Sequence, residues 1–313
     1  MVWGIFAGFT WGFETVVISL AMTLTPFLGK AGSSAPFVCT FIHDLFSAIL
    51  LFIFHLYRKE TKNIFRLVKT RGFKWLCFSA AIGGPVGMTG YIMAVKYMGA
   101  SIGAVTCAVY PAIGTVFAFV FLKEKITKTR IVFIFFTLIG VFGLNFNSQM
   151  APKNTLLGIL GAVMCSFGWG LEAVILTRFL KDSTVKPTYV LQIRQIVSAT
   201  IYGAIILPVS GKYRILISVF SGSSIKTLSL ILGAALFATV SYLSYYKSIS
   251  KIGATKSMVL NISYTAWSVL LSVLIYRNIK QLTVQSIFFS LMIVICGILS
   301  AVDFKSKTEK ADC

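Results

Sequence analysis

The chain has 313 residues, 57% of them hydrophobic and 12% charged, with 29 Lys and Arg against 9 Asp and Glu. Apolar runs near the roughly 20 residues that cross a bilayer recur along its whole length, which excludes a soluble globule and points to a polytopic membrane protein. A net charge of +20 would mean nucleic-acid binding in a soluble chain, so the placement of that charge decides its meaning.

Hydrophobic runs bounded by turn and charge signals predict ten spans, at 3–29, 36–57, 74–95, 101–122, 131–147, 156–178, 188–208, 229–249, 255–276 and 284–303. The first begins MVWGIFAGFTWG, without a positive n-region or a cleavage site, and is expected to be kept. Within it, FTWGFETVV sets Trp11 and Glu14 three residues apart, on one helical face, with the small Gly12 between them. The second span holds His43 and Asp44 in FIHDLFS and ends near His55, which is expected at the interface. A histidine beside an acid titrates in the physiological range and suits proton coupling; a hydrogen-bonded packing role for His43 reads equally well. In the third span, AIGGPVGMTG places Gly84 and Pro85 where a missing donor and weak helix formers predict a break or kink. Such a kink serves either exposed carbonyls or packing alone.

The sixth span repeats the opening motif as FGWGLEAVI, with Trp169 and Glu172. The seventh carries Arg194 in LQIRQIVS, the eighth Tyr242, Tyr245 and Tyr246 in VSYLSYY, and the ninth Tyr264 and Trp267 in NISYTAW. Beyond the last span, 306–313 reads as a cytoplasmic tail.

Lys and Arg number seven in 58–74, four in 123–130 and three each in 178–186, 247–256 and 305–310, against eight on the other side. With the N-terminus inside, this asymmetry predicts ten crossings with both ends in the cytoplasm, and it removes the need for any nucleic-acid partner. The two Trp-Gly-x-Glu copies lie about 158 residues apart, and GYIMAVKYMGASIGA matches SYLSYYKSISKIGA with Tyr91 against Tyr242 and Lys96 against Lys247. The chain therefore divides into five-span repeats, 1–148 and 153–305. Five is odd, so the second half enters the membrane inverted, the plan of secondary transporters that bind substrate at the midplane. The halves have diverged, since Asn261 stands where the first half has Pro111.

Three acids, Glu14, Asp44 and Glu172, fall inside spans, where an ionisable group costs several kcal/mol and marks a pathway with a partner. Arg194 is one partner, either as a static ion pair or within a substrate site, and it cannot neutralise all three. Trp11, Trp169, Tyr242, Tyr245, Tyr246, Tyr264 and Trp267 have electron-rich faces that attract cations, at about 0.5–2 kcal/mol per ring. Together with an acid they describe a cage for an organic cation. Interfacial belts explain Trp3 and Trp75 but fit Trp11 and Trp169 poorly. No metal-ligand or redox spacing joins the six cysteines, and no cofactor is expected. No hydrolase or metalloprotease motif occurs, so the chain is not expected to be an enzyme.

IGAVTCAVYPAIGTVFAFVFLKEKIT and the Trp-Gly starts of both halves resemble the drug/metabolite transporter superfamily, specifically its EamA-type members. FIHDLFS, GGPVGMTGYIMAVKYMGA, WGLEAVI, IRQIVS, SYLSYYKSI and NISYTAW are similar to the Lic-type choline permeases of bacteria. The resemblance implies a ten-helix inverted repeat in the bacterial cytoplasmic membrane and proton-linked uptake of choline or an analogue. It also implies a pocket at Trp11, Trp169, Glu172, the tyrosines of 242–246, Tyr264 and Trp267. Glu14 departs from the family's first repeat and is expected to alter substrate preference, and the second half has YRNIKQLT where the superfamily often keeps the glutamate seen at Glu124. Efflux of amino acids or cationic amphipathic compounds is the competing transport reading; an intramembrane enzyme is a remote third.

Overall fold

In hydrocarbon every backbone donor and acceptor must be satisfied within the segment, and the long apolar runs meet that demand as helices. A computed structural model describes residues 1–98, 100–145, 154–181, 185–277 and 283–303, all helix, turn and loop among the described residues. The tail 306–313 lies outside them. The long helices are α1 (Val2–Met22), α2 (Ala35–Tyr57), α3 (Phe73–Met98), α4 (Ile102–Leu122), α5 (Lys128–Asn145), α6 (Thr155–Leu180), α7 (Pro187–Val209), α8 (Ile225–Ile252), α9 (Ala254–Tyr276) and α10 (Val284–Ala301). Among the described residues nine of them, all but α5, are long and apolar enough to cross a membrane.

Local chemistry repeats between the halves. Both α4 and α9 are interrupted by a two-residue turn, at Ala108–Val109 and Ile262–Ser263. Both end on a left-handed residue, Lys123 and Arg277. Threonine hydroxyls then receive backbone donors at the starts of α5 and α10, Thr127 from Arg130 and Thr283 from Ser286.

The packing crosses between the halves. α1 lies on α8 and α9, whereas α6 lies on α3 and α4; α2 pairs with α7, and α5 with α10. Small residues make the closest crossings possible, because lipid tails give no hydrophobic drive between helices and dispersion needs near contact. Gly4, Gly8 and Gly12 recur every fourth residue along the face of α1 that meets α8 and α9. Where α3 crosses α6, a Cβ on Gly90 would stand 2.5 Å from the carbonyl oxygen of Gly161, so backbone touches backbone.

α3 and α7 each contain a π turn, at Ile82–Val86 and Tyr202–Ile206. The break expected at Gly84 and Pro85 takes this form: the turn widens around a residue that lacks an N–H, and the helix resumes at Gly87. His55, near the end of α2, is buried against α7, its Nε2 3.4 Å from the Thr188 carbonyl oxygen.

Gly90→Ala is expected to lower the thermal midpoint of the purified protein, at about 1–3 kcal/mol for an overpacked contact. Gly233→Ala, whose new Cβ would meet nothing within 4 Å, is expected to raise stability by up to about 1 kcal/mol. A neutral Gly90→Ala would contradict the backbone crossing.

Candidate functional site

A cavity of about 880 Å³ lies between the halves. It reaches loop level at Ser33, Ser210 and Lys212 and descends to Asp44 and Arg194. Besides Phe37 and Tyr97, five rings line it: Trp11 from α1, Tyr91 from α3, Trp169 from α6, Tyr242 from α8 and Tyr264 from α9. They pair across the halves. Trp11 meets Tyr242 edge-on with centroids 4.8 Å apart, and Trp169 stacks on Tyr91 at 5.9 Å. These are the motif tryptophan of one half and the matched tyrosine of the other, taken both ways. Tyr264 stands 6.2 Å from Trp11, and Tyr110 meets Trp169 edge-on at 5.5 Å.

Arg194 organises the charges below. Its Nε donates to Glu172 and its Nη1 to Asp44, each at 3.4 Å, while Nη1 also reaches Gln195 at 2.7 Å. Nη2 donates to the Tyr242 hydroxyl at 2.9 Å, and the guanidinium carbon lies 4.4 Å from the centroid of that ring. Asp44 also accepts from Ser198 at 2.5 Å and lies 2.7 Å from His43 Nδ1, and Glu172 accepts from Tyr246 at 3.2 Å. The π turn of α3 makes room for this network: a Cβ on Gly83 would overlap the Glu172 carboxylate, and one on Gly84 would crowd Ser198. A single buried guanidinium thus serves two carboxylates, with one hydroxyl on each, Ser198 on Asp44 and Tyr246 on Glu172.

Glu14 is different. It lines the cavity, and its carboxylate accepts one long hydrogen bond, from Thr15 at 3.5 Å. Among the described residues it is in no ion pair.

Of the residues singled out from sequence, Trp11, Trp169, Tyr242, Tyr264, Glu14, His43, Asp44, Arg194 and Gly84 come together on the cavity wall. Glu172 and Tyr246 lie behind it, because the carboxylate turns to Arg194. Tyr245 packs against Tyr246, and Trp267 against Phe9, away from the cavity. Tyr91 was not among the expected ring residues, although its match to Tyr242 in the repeat carried the signal.

At the end opposite the loop-level mouth, polar contacts join the halves. Lys186 reaches Glu60 at 2.6 Å, Asp303 binds both Arg130 at 2.8 Å and Lys256 at 2.6 Å, and Thr255 donates to Glu124 at 2.8 Å.

The model of the EamA-like transporter family matches residues 1–146 and 156–304. Protein LicB of Haemophilus influenzae is 26% identical over 240 residues, covering 76% of this chain and 78% of that protein. An uncharacterized transporter of Clostridium kluyveri is 25% identical over 291 residues, 91% of this chain and 88% of the relative. The riboflavin transporter ImpX of Fusobacterium nucleatum is 26% identical over 208 residues, 64% and 65%. A solved crystal structure shares the fold, with a TM-score of 0.72 over 95% of this chain and 96% of the other at 16% identity.

Arg194→Met leaves two buried carboxylates without their cation and is expected to destabilise the protein by about 3–5 kcal/mol. Adding Asp44→Asn and Glu172→Gln is expected to recover part of the loss, measured as thermal midpoints in one detergent. An undisturbed single variant would contradict the shared ion pair.

Proposed function

The chain belongs to the EamA-like transporter family, and on that premise we propose that it imports choline or a closely related quaternary ammonium compound by alternating access. It is a multi-pass transporter of the inner membrane that carries a small polar or cationic metabolite, and not an enzyme. The observation that carries the choline reading is the gathering of aromatic rings, Trp11 and Trp169 among them, around a carboxylate that is in no ion pair among the described residues. A quaternary ammonium cannot donate a hydrogen bond, so it is recognised by ring faces and a nearby negative charge. Glu14 supplies that charge, a role the sequence had given to Glu172. The resemblance of the motifs to Lic-type choline permeases and the similarity to the relative named LicB support the same reading.

In this mechanism α5 joins the nine apolar helices to make ten crossings, and the second five-helix repeat is inverted with both chain ends on the basic side. The cavity mouth then faces outward, and the Glu60, Asp303 and Glu124 contacts close the cytoplasmic end. Substrate enters past Lys212 and settles among the rings. The cross-half contacts separate as the halves rock. His43, on the cavity wall and anchored by Asp44, carries the coupled proton.

In proteoliposomes, labelled choline is expected to accumulate when a pH gradient is imposed, with saturable uptake. Glu14→Gln is expected to abolish uptake, and Trp169→Ala to weaken apparent affinity about two- to thirty-fold, the range set by one ring. Absence of uptake by the unaltered protein under every gradient would sink the proposal.

The cytoplasmic ion pair has its own pH signature. Lys186 donates to Glu60 and holds that carboxyl below the usual range, and the carboxylate holds Lys186 above its own. The pair's contribution is therefore full above the ordinary carboxylate range and below the ordinary lysine range. It is lost only as pH falls through the depressed Glu60 value or rises through the elevated Lys186 value. Glu60→Gln is expected to leave the shape of the uptake profile between about pH 5 and 8 unchanged. A shifted profile would show that this pair, not the cavity, sets the pH response.

A further inference from the structure

A second concavity lies away from the transport cavity, beneath the short helix Thr61–Val68 that links α2 to α3. Its volume is about 160 Å³, and its wall is made by Ile64, Phe65 and Val68 of that helix, Phe52 of α2, and Ile196 and Val197 of α7. Ile64 and Leu67 turn inward, while Phe65 and Val68 remain exposed at 63% and 38%. The helix thus lies along the bundle with apolar side chains still uncovered at the level where α2 ends and α3 begins, the posture of an interfacial amphipathic segment.

Beside the apolar face runs a basic stripe. Lys62, Arg66 and Lys69 follow one another at spacings of four and three residues, all exposed, and Arg71 and Lys74 continue the charge into the start of α3. The acid of this segment, Glu60, is taken by Lys186. Among the described residues none of Lys62, Arg66 or Lys69 meets a carboxylate within 4.0 Å. An uncompensated cationic stripe next to an apolar groove at the membrane surface has the complementary chemistry of an anionic amphiphile.

We propose that this groove is a binding site for an anionic phospholipid, with one acyl chain in the apolar concavity and the phosphate on Lys62, Arg66 and Lys69. A zwitterionic lipid fits the groove equally but brings a cation to the same stripe, so selection is by headgroup charge. The site sits between α2 and α7, the helices that carry Asp44 and Arg194. It is independent of which cation the transport cavity takes.

The test uses the full-length protein in mild detergent, by native mass spectrometry with equimolar phosphatidylglycerol and phosphatidylcholine of matched chain length. Phosphatidylglycerol is expected to be retained roughly tenfold or more over phosphatidylcholine. The preference is expected to disappear in Lys62→Gln/Arg66→Gln/Lys69→Gln, while Val68→Trp, which fills the groove, reduces retention of both lipids. Equal retention of the two lipids by the unaltered protein overturns the proposal without reference to any variant. So does an undiminished preference in the triple variant. Displacement of the lipid by inorganic phosphate at equal concentration would assign the stripe to a free anion and overturn it as well.

Discussion

One guanidinium shared by two carboxylates is the constraint on which the site depends. Ionised groups in hydrocarbon persist only when paired, and Arg194 is placed on α7 so that its fork reaches α2 through Asp44, α6 through Glu172 and α8 through Tyr242. Four helices from both halves are thereby tied at one depth. Two acids are consumed in this tie, and the third, Glu14, faces the cavity and is in no ion pair among the described residues.

Trp11 of the first half faces Tyr242 of the second, and Trp169 of the second faces Tyr91 of the first. Because each motif helix packs on the other half's third and fourth helices, the cavity wall is an interface rather than the interior of either half. Interfaces of that kind open by rotation of packed bodies, and polar contacts gathered at one end give such a rotation two ends to choose between. Exposed contacts of this kind, such as Lys186–Glu60, contribute about 0–1 kcal/mol each. A gate built of them can open at transport rates, which a buried pair such as that at Arg194 would resist.

Much of this was legible in the sequence, for reasons that also mark where reading stopped. Helix positions follow from hydropathy, since hydrocarbon leaves a chain few alternatives to a helix. The duplicated Trp-Gly-x-Glu located the central helices of both halves. A spacing of three or four residues shows that two side chains share a face but not what that face meets. Tyr246 and Trp267 were accordingly assigned to the cavity, when one turns to Glu172 and the other to Phe9. Glu14 and Glu172 occupy equivalent motif positions, and their different surroundings arise from Arg194, about 22 residues beyond one and far from the other in sequence. No local pattern announces such a contact. The π turn at Tyr202–Ile206 was likewise hidden, because a single Gly203 gives a weaker signal than the Gly-Gly-Pro of α3.

In the proposed mechanism the cavity reads positive charge through Glu14 and ring faces, not size or shape. Calorimetric titration of the purified protein with choline, and with the neutral isostere in which carbon replaces the quaternary nitrogen, tests it most directly. Choline is expected to bind saturably and the isostere, nearly identical in volume, to give no measurable heat or competition. Equal binding of the two would contradict the claim and make the rings a shape-selective apolar pocket in which Glu14 has no part.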